Sequence, residues 1–299
     1  MAHLLDLTTQ GDVGTLADPA RLASVTLMDP QQLYELWERQ PWSAHAIDLA
    51  RDRQDWAALD PAERQDIAWS LASFYVGEER VTTQFSGLVM AYETQSEEAF
   101  LTTQQVDEAR HAQHFDRFFD QVLRADDTFE SRLEHARRGL SAEFVTLFDG
   151  HLVDAGRALV ADPADVEAKV DFVVTYHMVI EGTLALTGQH FVTRALEERG
   201  ILPGFVEGFR RVATDEHRHV AYGTWFLQQK ATDPGLRRRI AERLMALLPV
   251  TAGVLVPPGA DPADWTLLGY GAEEINHFAF TALTRRLKVI GVDLAAAAA

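Results

Sequence analysis

The run Asp215-Glu216-His217-Arg218-His219 constrains this chain more than any other stretch. It lies inside a helical pattern from about Pro203 to Gln229, where Phe205, Phe209, Val212, Val220 and Phe226 recur at helical spacing. Glu216 and His219 fall on that same apolar face. A carboxylate and an imidazole on a core-facing stripe are costly unless something satisfies them. Three residues apart, they are neighbours on the helix surface, so one metal ion could take both. The fold must then supply that ion's other ligands at the same depth.

Three more long helical patterns are interrupted in the same way. The first opens at Asp60-Pro61-Ala62-Glu63, with Asp as cap, Pro in the first turn and Glu at the capping-box position. It continues to about Glu93. Its stripe is Leu71, Phe74, Tyr75, Thr82, Phe85 and Val89, and Glu78 lies on it; Glu79 points away and is expected near the surface. The second pattern, about Ser96 to Leu123, places Glu108 and His111 on a stripe of Phe100, Leu101, Phe115, Phe118 and Val122. The third starts at Asp162-Pro163 and runs to Gly200, a C-terminal cap. Val170, Val173, Val174, Leu184, Ala185 and Val192 form its stripe, with His177 and Glu181 among them. Each pair of ligand candidates sits at similar distances from the turn joining its two helices, so antiparallel packing brings all four to one level.

The inventory is two helices with a single Glu and two with Glu-x-x-His. That pattern points to an all-α, ferritin-like four-helix bundle with additional flanking helices and a carboxylate-bridged dinuclear site. The candidate ligands are Glu78, Glu108, His111, Glu181, Glu216 and His219. Oxygen-rich ligation with two imidazoles suits iron and manganese. A lone Glu-x-x-His arises by chance, and Glu274-Ile275-Asn276-His277 is read as such a case, because no Glu-bearing partner helix matches its depth. His177 is expected to pack beside the ligands rather than bind metal.

The 299 residues, 47% hydrophobic, suffice for a sizeable core. A single domain over 1–299 is expected, with the core bundle at about 60–230, an extended N-terminal arm at 1–30 and a flexible tail at about 291–299. A short helix after Asp29-Pro30, a loop at 43–56, a mixed-polarity crossover at roughly 131–160, a helix from Asp233-Pro234 to near Pro249 and a last helical region after Asp261-Pro262 complete the reading. The net charge of −18 disfavours nucleic acid and anionic lipid as partners. The absence of cysteine excludes disulfides, thiol nucleophiles and iron–sulfur clusters. With neither a signal-peptide pattern at the N-terminus nor an apolar run of bilayer length, the expected location is the cytoplasm.

Four segments carry a family resemblance: Phe74-Tyr75-Val76-Gly77-Glu78-Glu79-Arg80-Val81, Glu108-Ala109-Arg110-His111, Tyr176 five residues before Glu181, and Asp215 to His219. Together, over about residues 30–280, the chain resembles the ribonucleotide-reductase-small-subunit-like ligand-binding oxidases. The resemblance implies a heterodinuclear manganese and iron cofactor, with di-iron as the variant. Manganese would be held by Glu78, Glu108 and His111. Iron would be held by Glu181, Glu216 and His219, with Glu108 as the bridge. It further implies dioxygen activation and a long-chain fatty acid bound at the metals, for which Gly182, Ala185 and Gly188 would leave room. An ether would join the Val81 β-carbon to the Tyr176 phenol oxygen, and Asp215 would hydrogen-bond His111. A homodimer is expected.

Periodicity supports only part of this. Val81 shares Glu78's face, but Tyr176 lies about 140° from Glu181 on an ideal α-helix. A local π-bulge would swing it inward. The principal alternative is a class I ribonucleotide reductase small subunit. The position commonly held there by a radical tyrosine, four residues after His111, is Phe115, and no tyrosine follows Tyr270. A metal-dependent lipid carrier without turnover is the other alternative.

Overall fold

Helix starts follow the capping chemistry in the sequence. In the computed structural model, which describes residues 3–4, 26–124 and 128–294, Asp29 caps α1 (Pro30–Glu38) and Asp60 caps α3 (Pro61–Gln84). The Asp60 carboxylate accepts the Glu63 amide at 2.9 Å, and Glu63 accepts the Asp60 amide at 3.0 Å. Most of the expected arm, and residues 295–299 of the expected tail, lie outside the described residues. Thr94 caps α4 (Gln95–Phe118). The third core element is continuous from 166 to 199: α5 (Val166–Val173), a π-helical stretch Val174–Ala185, and α6 (Leu186–Arg199), closed by Gly200 at φ +64°. The fourth is α7 (Pro203–Lys230).

α3 packs along α4, and the π-helical stretch packs along α7, giving the ferritin-like four-helix bundle. α1 lies against α4, while α8 (Pro234–Val254) and α9 (Ala272–Ile290) cover the π-helical stretch from outside. One large apolar core runs through all of these.

Several boundaries differ from the sequence reading. The stretch 43–56 is not a loop: it holds a 3-10 turn at Ala44–Ala46 and most of a helix, α2 (Ala50–Ala58). Its buried residues are acidic, so no apolar stripe marked it. Asp52 accepts the amides of Gly204 (2.8 Å) and Phe205 (2.6 Å), and Asp55 accepts that of Leu202 (3.0 Å), which caps α7 from another helix. α3 ends at Gln84, with a separate turn at Ser86–Met90, instead of reaching Glu93. The crossover is broken between Phe129–Arg137 and Ala142–Val145, around Gly139 and Leu140. Asp165, not Asp162, caps α5; Asp162 turns onto the Ala164 amide instead. α8 runs through Pro249 to Val254, because burial of Thr251 and Val254 holds its last turn in place. Residues 261–271 form turns and a two-residue antiparallel ladder before α9, not a helix. A second ladder pairs His3–Leu4 with Thr26–Leu27 in parallel.

Candidate metal centre

The four core helices bring their polar interruptions to one level. Glu78 comes from α3, Glu108 and His111 from α4, Glu181 from the π-helical stretch, and Glu216 and His219 from α7. All six are buried. Glu78, Glu108, His111 and Glu216 can each direct one ligand atom so that all lie within 4.8 Å of one another, and so can Glu108, Glu181, Glu216 and His219. Two overlapping groups that could each hold a metal ion result, and both contain Glu108, the bridge expected from the resemblance. Glu216 reaches both, which the sequence reading did not foresee.

Each imidazole has the same polarity. His111 turns Nδ1 inward, 3.3 Å from Glu78 Oε2 and 3.5 Å from Glu216 Oε1. His219 turns Nδ1 inward, 3.0 Å from Glu108 Oε1 and 3.1 Å from Glu181 Oε1. The outward Nε2 atoms meet Asp215 (3.1 Å) and Asp107 (3.3 Å). A carboxylate behind a histidine fixes its tautomer and raises its basicity toward a metal. Inside the cluster, His111 Nδ1, Glu181 Oε2 and Glu216 Oε2 make no hydrogen bond at all. Buried polar atoms without partners are expensive, and cations between them would satisfy all three. The residues present therefore fit a two-metal site.

The electrostatics agree. Burial pushes the carboxyls of Glu78 and Glu181 well up, and neighbouring carboxylates add to it. Burial opposes charge on both imidazoles, yet the carboxylates win: Glu78 and Asp215 raise His111, and Glu108 and Glu181 raise His219. Glu108, although buried, is held well below the carboxylate range by His219 and His111. Asp215 is held at about 2, burial being outweighed by His111, Arg218 and Trp42. Without cations the cluster keeps protons on part of its ligand set, and metal must displace them.

The Asp–His pairs expose an internal repeat that the sequence reading passed over: Asp107-Glu108-Ala109-Arg110-His111 and Asp215-Glu216-His217-Arg218-His219 share the pattern Asp-Glu-x-Arg-His. The two copies cross, so that the Asp of each supports the His of the other. Arg218 is fully buried and bonds Asp107 at 3.0 Å and also Asp215. Arg110 bonds Asp107 at 2.9 Å. Trp42, also unforeseen, donates its indole N–H to Asp215 at 2.6 Å. The repeat itself was the available signal for Asp107 and Arg218; nothing in the local pattern pointed to Trp42.

The π-helical stretch brings Tyr176 inward. Tyr176 is fully buried, donates its phenol to Glu108 Oε1 at 2.5 Å and accepts from Gln104 at 3.1 Å. Burial, then Glu108 and Glu181, push its phenol pKa well up, so it is protonated. His177 is buried beside it and contacts Gln104, outside both ligand groups. Val81 and Tyr176 line one cavity with Glu78, Glu108, Glu181 and Glu216. Its apolar wall includes Phe74, Phe144, Phe148, Ile180, Leu184 and Leu255, and the cavity volume is about 50 Å³. Ala185 lines it too. Gly182 and Gly188 do not: a side chain there would meet Arg286 and Phe74 respectively, so both serve close packing. Phe115 is buried and stacks on Phe74 with centroids 5.9 Å apart. Glu274 and His277 of the third Glu-x-x-His are exposed.

Residues 25–249 match the family model "Ribonucleotide reductase, small chain". The chain belongs to that family. Solved structures of similar fold include a variant of an R2-like ligand-binding oxidase with anaerobically reconstituted Mn/Fe cofactor, 24% identical, covering 89% of this chain and 94% of that one with a TM-score of 0.76. The R2-like ligand-binding oxidase from Sulfolobus acidocaldarius is 25% identical, covering 87% of this small-chain family member and 89% of its own length, with a TM-score of 0.73. No helix among the described residues is long and apolar enough to cross a membrane.

Proposed function

We propose that this protein is a dioxygen-activating oxidase with a manganese–iron centre that binds a long-chain carboxylic acid and joins Val81 to Tyr176. The observation that carries the reading is the single cavity in which Val81, Tyr176 and four buried carboxylates meet an apolar wall. Glu78, Glu108 and His111 would hold manganese, and Glu108, Glu181, Glu216 and His219 would hold iron, with Glu216 within reach of both. The Mn/Fe cofactor of the R2-like ligand-binding oxidases supports this choice of metals. Bound together, the two ions supply reduction of dioxygen and an oxidant for an unactivated C–H bond.

The chain's own residues do the rest. Burial of all six ligands limits the water that reaches the reacting atoms. Asp215 and Asp107 hold the imidazoles with Nδ1 facing inward. The hydrogen bond to Glu108 Oε1 holds the Tyr176 phenol in the cavity that Val81 also lines. The acid's carboxylate would sit at the metals and its chain along Phe74, Phe148, Ile180 and Leu184.

The test is peptide mapping. Metal-free protein loaded with Mn(II) and Fe(II) without oxygen, then exposed to air, should yield one branched peptide containing Val81 and Tyr176, lighter than the separate peptides by two hydrogens. Tyr176→Phe should abolish the link and leave metal content intact. Separate peptides from fully loaded, oxidised protein would refute the oxidase reading and favour a nucleotide-reductase subunit, to be checked by complementation of a large subunit.

A further inference from the structure

A second buried phenol lies one imidazole away from Tyr176, and the reaction above does not use it. Tyr222 of α7 is fully buried and donates to Glu97 at 2.5 Å. Glu97 is buried as well and bonds Lys169, buried too, at 2.8 Å; Lys169 reaches the half-exposed Glu93 at 3.3 Å. On the other side, the His177 ring packs against both phenols, with centroids 4.5 Å from Tyr176 and 5.3 Å from Tyr222. An aromatic path therefore runs from the metal ligand Glu108 through Tyr176 and His177 to Tyr222. A polar path leaves Tyr222 for the surface through Glu97, Lys169 and Glu93.

We infer that Tyr222 is a second redox-active phenol, supplying one electron to the oxidised dinuclear centre when Tyr176 cannot, with Glu97 taking the proton. This deepens the oxidase reading and rests on it. The step balances. The dioxygen-oxidised metal centre is the oxidant and gains one electron. The Tyr222 O–H bond breaks, its proton forms an O–H bond on Glu97, and a neutral phenoxyl radical remains. A phenol in a dry core cannot lose an electron and keep its proton without burying an unpaired cation. Glu97 is in contact to accept that proton, and Lys169 can then turn to Glu93.

Tyr75 makes the comparison instructive. It is also buried and donates to a carboxylate, Asp116, at 2.7 Å. Asp116, however, is held by two bonds from Arg132, and the ring neighbours of Tyr75 are Phe119 and Phe129 rather than any group beside the centre. Proximity to a carboxylate is common to both phenols; the path to the metals belongs to Tyr222.

The experiment uses Tyr176→Phe protein loaded with Mn(II) and Fe(II), exposed to oxygen and frozen for electron paramagnetic resonance, with the metal oxidation state followed in the same samples. An organic radical whose hyperfine pattern narrows with ring-deuterated tyrosine is expected. It should be lost in Tyr176→Phe/Tyr222→Phe, retained in Tyr176→Phe/Tyr75→Phe, and diminished in Tyr176→Phe/Glu97→Gln, which keeps the shape of the pair but takes no proton. Tyr222 serving only to satisfy Glu97 would leave no such signal. A radical that survives loss of Tyr222, or oxidised metals with no radical, overturns this inference alone. Metals that stay divalent in air overturn the oxidase reading and this inference with it.

Discussion

Asp52 offers a measurement of how the metal-bearing helix is held. α7 begins at Leu202 in the left-handed region (φ 54°) followed by Pro203, and it has no side-chain cap of its own. Asp52 replaces that cap from α2, accepting the Gly204 and Phe205 amides. Gly204 permits the approach, since a Cβ there would lie 2.3 Å from the Asp48 carbonyl oxygen. Asp52→Ala removes both bonds and leaves two buried N–H groups unsatisfied. Hydrogen bonds to a charged group contribute about 1.5–3 kcal/mol each, and an unsatisfied buried donor costs about 1–3 kcal/mol. Burial itself pushes the Asp52 carboxyl up against those two amides, so part of the gain is already spent in the native protein. The lower end of the range applies, about 3 kcal/mol for Asp52→Ala. Asp52→Asn keeps an acceptor and the shape, and should cost about half as much. For a chain of this size the Ala variant should melt roughly 6 °C lower. Asp215 lies three turns beyond the cap, so both variants should still bind two metals per chain. Urea unfolding and metal analysis of the three proteins check this. Equal stability of all three, or lost metal at unchanged stability, would refute the trans-capping argument.

Two further outcomes follow from the centre. In the metal-free protein Glu78, Glu181, His111 and His219 all hold protons above their ordinary values of 4.5 and 6.5, so the folded state binds more protons than the unfolded chain and stability falls as pH rises through that window. Glu108 and Asp215 act oppositely, but only below their ordinary values of 4.5 and 3.8. Bound cations replace those protons, so the gap in melting temperature between loaded and metal-free protein should widen from about pH 5 to about pH 8; a constant gap in calorimetry would count against convergence of the ligands. The crossed Asp–His pairs predict crossed losses: Asp215→Asn should weaken metal binding at the Glu78–His111 position and Asp107→Asn at the Glu181–His219 position, each by about 10–100-fold. Anomalous scattering at the two metal edges separates them, and losses at the same position would contradict the crossing.

The fold was legible where helices announce themselves by caps and apolar stripes. Asp60-Pro61, Asp29-Pro30 and Gly200 act as read. α2 was not legible, because a helix that buries carboxylates to cap its neighbour looks like a polar loop. The position of Tyr176 was only half legible. An α-helical wheel turns it away from Glu181, and the twelve-residue π-helical stretch undoes that rotation. Its sequence, Val-Thr-Tyr-His-Met-Val-Ile-Glu-Gly-Thr-Leu-Ala, contains no proline and only one glycine, so its widening owes more to packing. Thr183 returns its hydroxyl to the Met178 carbonyl, five residues back, at 2.7 Å. Arg286 of α9 reaches the Gly182 carbonyl. Both contacts occupy carbonyls in the widened stretch, and neither can be inferred from the stretch alone.

The centre was legible because its cost is written into the sequence. Six ionisable groups on apolar stripes would each be unfavourable in isolation, and only their convergence on cations removes the penalty together. Of the support behind them, Asp215 on His111 was expected from the resemblance, while Asp107 and Arg218 escaped, although they repeat the visible motif. Asp107 stands to Glu108 as Asp215 stands to Glu216, and Arg110 and Arg218 hold corresponding places. Each copy alone leaves a histidine with an untethered outer nitrogen and an aspartate buried next to its own Glu. Two antiparallel copies, one on α4 and one on α7, resolve both difficulties: each aspartate takes the other helix's histidine, and the buried Arg218 joins the two aspartates. Pairing of the helices and orientation of the metal ligands are thus one interaction. A change at Asp107, although it touches no metal, should disturb helix packing and one metal position together.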